Sequence, residues 1–424
     1  MQRMYRVWNY LSEYSLLLIG GALIALIWAN VDAHSYHAFV EQVVWDHAPI
    51  GHLHQAEDGH APYRTLTLHY LINDVLMALF FAIAGKEVWE AVALKNGALR
   101  GKKAMTPLIA TGGGMVGPIA VYLGLATLMG SDTYDAVANG WAVPTATDIA
   151  FSYLVGRIVF GAGHPAIRFL LLLAIADDAA GLVILAVFYP SAPIQPVWLL
   201  LSVFAAFTTW YVGNFLPRAL DKRNQARPHS TWMRKKMGFV PYLIGGAICW
   251  YGFQEAGIYP ALGLLPIVAT IPHADVSYGI FSEADSHLHD LLNDIEHKLK
   301  VPVEVILFFF GLANAGVELA SMGSATWLVL AGLMIGKPAG VLALGWIAAH
   351  PMRLGLPEGM RTSDLFVIGC VAGIGFTVSL FVAAVAFPAG PVQDAAKMGA
   401  LFSFFGAAIS FAAGRALKVE RQEL

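Results

Sequence analysis

Arg168-Phe-Leu-Leu-Leu-Leu-Ala-Ile-Ala-Asp177-Asp178-Ala-Ala-Gly-Leu-Val-Ile-Leu-Ala-Val-Phe-Tyr189 sets two adjacent carboxylates in the middle of an otherwise apolar run. The run has the length, roughly 20 residues, that a helix needs to cross about 30 Å of hydrocarbon. The whole chain is 57% hydrophobic and 13% charged, whereas soluble domains carry about a quarter charged residues. It therefore reads as an all-α, polytopic membrane protein. In that setting each acid costs about 2.5–3.5 kcal/mol at a helix centre, and a like charge beside it adds to the cost. A bound cation or proton that neutralises the pair offsets this cost and makes exchange possible. The blander alternative is a hydrogen-bonded pair that joins helices.

Working outward, twelve apolar runs qualify as spans, near residues 14–31, 71–94, 106–130, 138–160, 166–189, 196–217, 237–254, 257–272, 301–320, 325–349, 363–387 and 393–416. Basic residues test the count, because Lys and Arg concentrate in short cytoplasmic loops. Of the 26 Lys and Arg, only Arg64 and Lys397 fall on the opposite side, and only Lys86 and Lys337 lie within spans. Both termini are expected to be cytoplasmic. The segment Met1-Gln-Arg-Met-Tyr-Arg with Leu16 to Ala29 has the charged and apolar parts of a signal peptide but no small-x-small cleavage site, so it reads as an uncleaved first span.

No nucleic-acid partner is implied by a formal net charge of -3 with the basic residues scattered among loops. Cys249 and Cys370 sit inside apolar runs, with no CxxC motif and no zinc spacing, and read as packing thiols. Residues 1–424 read as one integral membrane domain. The longest stretches outside the spans are an extracytoplasmic loop at 32–70, rich in His and acid, and a cytoplasmic amphipathic segment at 273–300. In the latter Leu288, Leu291, Leu292 and Ile295 share one helical face.

Three more runs carry intramembrane polar groups. Span four contains Gly140-Trp-Ala-Val-Pro144-Thr-Ala-Thr147-Asp148-Ile-Ala-Phe-Ser152. Its proline frees backbone carbonyls beside a hydroxyl and a third carboxylate, and such oxygen-rich sites suit hard cations. A simple kink with Asp148 as an interhelical hydrogen bond is the alternative. Span eleven contains Gly369 and Gly373-Ile-Gly375-Phe-Thr377-Val-Ser379, a second helix interrupted by glycine and followed by hydroxyls. Interrupted helices at corresponding places in two halves point to a midplane transport site. Span ten contains Gly332-Leu-Met-Ile-Gly-Lys337-Pro338. Its lysine either pairs with a span-five aspartate or reaches the interface along its alkyl stem.

Six segments taken in order resemble the NhaA family of bacterial sodium/proton antiporters, over about Glu13 to Lys418. They are Ile72-Asn-Asp-Val-Leu-Met-Ala-Leu-Phe-Phe81, Gly140-Trp-Ala-Val-Pro with Ala-Thr-Asp-Ile-Ala-Phe151, Ala176-Asp-Asp178, Leu312-Ala-Asn-Ala-Gly316, Ile335-Gly-Lys-Pro338 and Gly373-Ile-Gly-Phe-Thr377. The resemblance implies 12 transmembrane helices in inverted-topology repeats, with spans four and eleven unwound and crossing. It implies electrogenic exchange of sodium or lithium against two protons in the bacterial inner membrane, by a homodimer without a cofactor. By position it makes Asp178 the principal sodium and proton carboxylate, and Asp177 its partner, which bridges to Lys337 in one state. Thr147 and Asp148 complete the sodium set, and Glu87, Glu296 and Asp74 match acids linked to pH sensing.

Two departures bear on that pH sensing. Tyr259 stands where the best-known member has a histidine, and Lys86 stands where an apolar residue is usual; it can pair with Glu90 at i,i+4 or with Glu87. The outer loop, with His47, His52, His54 and His60, coincides with the family's dimer hairpin and reads either as a solvated polar loop or as a metal site. An intramembrane aspartyl protease is a poor fit, because its carboxylates face each other from separate helices. Asp177 and Asp178 diverge by about 100° on one helix, and the sequence has no Gly-x-Gly-Asp segment. The chain reads as no enzyme. A cation channel or a symporter on the same fold differs in flux rate or in its need for an organic substrate.

Overall fold

A computed structural model of the chain describes residues 4–54, 63–93, 97, 99, 102–221, 228–272 and 291–422, with the backbone alone at 4–16, 102–103, 234, 293–294 and 296–297. Helices dominate. Among the described residues six are long and apolar enough to cross a membrane: Leu68–Ala93, Ala104–Leu128, Pro165–Phe188, Pro196–Leu220, Ser324–Ala349 and Pro391–Ala416. The pair Thr362–Ala372 and Phe376–Ala386, bent by 55°, adds a seventh if counted as one span. Leu17–Val31 and Ile149–Phe160 are shorter apolar helices. The chain divides into two compact units, each drawn from separated segments.

The first unit comprises Met1–Ala33, Ala98–Ile184 and Gly311–Leu424. At its centre Ala104–Leu128 and Ser324–Ala349 meet backbone to backbone. A Cβ on Gly113 would lie 2.1 Å from the Gly340 carbonyl oxygen, one on Gly340 would lie 2.0 Å from that of Gly113, and one on Gly117 would lie 2.2 Å from that of Gly336. Lipid tails are as apolar as the helices, so close packing of small residues supplies the association that hydrophobic burial supplies in water.

The chain leaves the helical path twice in this unit. The 3-10 turn Ala138–Thr145, which contains Pro144, gives way to an extended stretch before Ile149–Phe160 begins. The second interruption is Gly373 to Gly375, between Thr362–Ala372 and Phe376–Ala386. The two interruptions touch: the Asp148 amide donates to the Ile374 carbonyl at 2.8 Å. Backbone groups freed at such depth need protein partners, and here each break supplies them to the other.

The second unit comprises His34–Gly97 and Leu185–Phe310. Val240–Ala256 packs on Pro196–Leu220 through small and hydroxyl residues: Ser202 Oγ donates to the Cys249 carbonyl at 3.0 Å, and a Cβ on Gly252 would lie 2.3 Å from that Oγ. Both cysteines are buried and free. The expected eighth span holds only the short turns Pro260–Leu262 and Leu265–Val268, because prolines 260 and 266 with Gly257 and Gly263 interrupt an apolar but unhelical run. Of the segment 273–300, residues 291–300 open the helix Leu291–Asn314, and 273–290 lie outside the described residues.

The all-α expectation omits a small sheet within 32–70. β1 (Val43–Trp45), β3 (Tyr63–Thr67) and β2 (His52–His54) pair antiparallel in that order. Short alternation of Thr, Leu and aromatic residues favours strands, but it is easily passed over in a His-rich loop. Arg64 ties the sheet to Val240–Ala256: its Nη1 donates to the Gly51 carbonyl at 3.0 Å, and its Nη2 lies 3.0 and 3.1 Å from the two Glu255 carboxylate oxygens. Among the described residues no three His, Cys, Asp or Glu side chains converge on a metal position, and His60 is not described.

Candidate functional site

Asp177 lies in the middle of Pro165–Phe188, 3% exposed, and Lys337 on Ser324–Ala349 is fully buried. Lys337 Nζ is 2.7 Å from Asp177 Oδ2. The ammonium also donates to the Thr145 carbonyl at the end of the 3-10 turn. Thr147 Oγ1 is 2.6 Å from the same Asp177 oxygen and 3.0 Å from the Ala372 carbonyl, the last helical residue before the second break. Asp177 Oδ1 is buried and has no hydrogen-bond partner among the described residues.

Asp148 occupies the other side of the breaks. Its Oδ1 accepts from the Phe151 amide at 3.2 Å, which makes it the cap of Ile149–Phe160. Its Oδ2 accepts from the Thr377 amide at 3.3 Å and from the Thr377 hydroxyl. The carboxylate thus sits on the N-termini of two half-helices, where free N–H groups and the helix dipole favour negative charge. The ammonium, in turn, lies against a carbonyl released at a helix end, where the partial charge is negative. The breaks therefore sort charge by sign: anion at the amide ends, cation at a carbonyl end.

Asp178 follows Asp177 in the chain and is half-buried. Asp148, Asp177 and Asp178 do not form a three-carboxylate cluster in this geometry; Asp177 is engaged by the lysine instead. Thr147, Asp148, Asp177, Asp178 and Lys337 all belong to the first compact unit. Asp74 and Glu87 belong to the second: Asp74 is buried in Leu68–Ala93 with its carbonyl accepting from Trp250 Nε1 at 2.8 Å, and Glu87 is half-buried on the same helix. The Glu296 side chain lies outside the described residues.

An apolar bundle whose buried Asp–Lys pair sits beside two interrupted helices calls for comparison with known ion carriers. The profile of the family described as Na+/H+ antiporter 1 matches residues 7–414. The chain belongs to that family. The Na(+)/H(+) antiporter NhaA of Jannaschia sp. (strain CCS1) is 69% identical over 421 residues, 99% of this chain and 100% of that protein. The protein of the same name from Geobacter sulfurreducens is 42% identical, covering 97% of this chain and 98% of its own. Na(+)/H(+) antiporter NhaA 2 of Pelobacter propionicus is 40% identical with the same coverage.

Within this member of the Na+/H+ antiporter 1 family, several polar partners escape a reading of side-chain motifs. Thr377 is visible as a hydroxyl after glycines, but its bond to Asp148 is not. Ser403, at a kink between Pro391–Phe402 and Phe405–Ala416, accepts from the Phe376 amide at 3.2 Å and so caps the second half-helix. Lys86 pairs with Glu90 at 3.1 Å, both side chains buried.

Proposed function

We propose that the chain is a secondary antiporter that exchanges Na+ or Li+ for H+ across the bacterial inner membrane, by alternating access at the Asp177–Asp178 pair. The observation that carries this reading is the buried Asp177–Lys337 contact with a second carboxylate next to it in the chain. Breaking such a pair by losing one partner costs about 3–5 kcal/mol, so the site favours states in which each freed charge finds a new partner. Sodium entering on Asp178, Asp177, Thr147 and Asp148 supplies one for the aspartates, and deprotonation neutralises the released lysine. Cation and protons then compete for the same groups, and competition alone couples the fluxes.

Two protons against one sodium make each cycle electrogenic, with one net charge moved. The proton carriers are Asp178 together with Asp177 or Lys337, and they titrate as a unit. The surrounding architecture in this proposal is one transporter domain of twelve spans in inverted repeats, spans four and eleven unwound and crossing, with both termini cytoplasmic. The basic-residue alternation and the paired breaks support it. The chain works as a homodimer joined through the 32–70 hairpin, which leaves Val43, Val44, Trp45 and Leu53 about half exposed on its strands. Asp74, Glu87 and Glu296 tune the pH response, and no cofactor takes part.

The test is reconstitution into proteoliposomes with an acid interior reported by a quenched dye. Added Na+ and Li+ relieve the quench and K+ does not, and a clamped membrane potential shifts the rate. Proton movement indifferent to Na+, or sodium flux that requires an organic substrate, would overturn the reading.

A further inference from the structure

Residues 418–422 close a contact that the ion site itself does not require. Pro391–Ala416 ends with Lys418 in the left-handed region (φ 49°) and the Val419 amide donating to the Gly414 carbonyl at 3.0 Å. This sharp reversal sends the chain back across the ends of its neighbours. There the Gln422 amide donates to the Phe160 carbonyl at 2.9 Å, and the Gln422 carbonyl accepts from the Gly163 amide at 3.0 Å. Gly161 has φ +83°, and a Cβ on it would lie 2.1 Å from the Gln422 carbonyl oxygen, so both the turn and the approach of the segment require glycine. Two residues earlier, Glu420 pairs with the Arg361 guanidinium.

Phe160 is the last residue of Ile149–Phe160, and Arg361 caps Thr362–Ala372. These two half-helices meet toward their inner ends, where the Asp148 amide donates to the Ile374 carbonyl at 2.8 Å and Ser152 Oγ donates to the Val371 carbonyl at 3.0 Å. Glu420 to Gln422 joins their outer ends, and it also grips the turn that leads into the helix of Asp177 and Asp178.

His164 sits in the same turn, 4% exposed. Its Nδ1 accepts from the Ala166 amide at 3.1 Å, so the proton of the neutral ring is on Nε2, and the Phe160 ring lies 5.2 Å away. Burial lowers its pKa from the ordinary value; Asp364 and Glu420 act to raise it and Arg361 to lower it. A proton on Nδ1 removes the acceptor and charges a buried ring, so the closed turn is fully held above the ordinary histidine pKa and lost as pH falls through the lowered one.

We infer that residues 420–422 act as a strap that positions the two half-helices of the ion site, released when His164 takes up a proton. The inference rests on the antiport reading for its effect on transport, but the strap itself is read without transport, from hydrogen exchange at the Gly163 amide in the full-length protein.

Three proteins are compared from pH 8 to pH 5.5: wild type, Gln422→Pro, which removes the donor to Phe160, and His164→Asn, which keeps a capping side chain but does not titrate. Wild type is expected to protect Gly163 at pH 8 and to lose about tenfold of that protection, after correction for intrinsic exchange, by pH 5.5. His164→Asn should keep it, and Gln422→Pro should lack it throughout. In proteoliposomes at pH 8, Gln422→Pro should raise the KM for Na+ by about fivefold and His164→Asn should leave it unchanged. An unprotected Gly163 in wild type, the same pH loss in His164→Asn, or an unchanged KM in Gln422→Pro each overturns the strap. Absence of sodium-driven exchange in wild type overturns the antiport reading instead.

Discussion

Lys337 Nζ reaches Asp177 Oδ2 at 2.7 Å with both side chains withdrawn from solvent, and a helix-end carbonyl and a threonine hydroxyl complete the contact. A buried charge pair is weak evidence for stability in itself, but the loss of one member is costly. Lys337→Met and Asp177→Asn should each lower unfolding stability in detergent by about 3 kcal/mol. The double variant should recover more than half of the summed loss, because it removes the pair without leaving a lone charge. Thermal unfolding followed by tryptophan fluorescence reads this cycle; additive losses would mean that the two groups are not coupled.

Thr377 donates twice to Asp148, through its amide and its hydroxyl. Thr377→Val keeps the shape and removes the hydroxyl, leaving part of a buried carboxylate unsatisfied at about 1–3 kcal/mol. Weaker sodium binding is expected, read as a raised KM in the proteoliposome assay, with Thr377→Ser restoring it. If valine and serine behave alike, the hydroxyl plays no part in the site.

Close contact of Gly113 with Gly340 sets how the lysine helix lies on its neighbour. Gly340→Leu should be far more disruptive than Ala339→Leu one position earlier, because its Cβ would enter the Gly113 carbonyl. The yield of monodisperse protein and the thermal midpoint after extraction measure the difference. Equal tolerance at both positions would show that the two backbones can separate without consequence.

Much of this was legible in the sequence. Apolar runs locate the long helices, and Pro144 with Gly373 and Gly375 marks both interruptions, because helix-breaking chemistry is carried by residue type. Asp177, Asp178 and Lys337 stand out because charge within a membrane is rare. The partners that organise the charges are less visible. The carbonyls of Thr145, Ala372 and Ile374 belong to the backbone, which any residue could supply, and only the path of the chain places them. Composition also hides the difference between an apolar helix and the apolar turns of 257–272. The strap from Glu420 to Gln422 depends on a polar tail whose residues carry no motif at all.

The most direct test of the central claim is sodium-driven proton release from proteoliposomes carrying Asp178→Asn beside wild type, at matched protein content and across the pH series. The account predicts robust release for wild type, with Na+ and Li+ effective, and none above protein-free vesicles for Asp178→Asn at any pH. Robust exchange by Asp178→Asn would contradict it, and the aspartate pair would then be a structural contact rather than the seat of ion exchange.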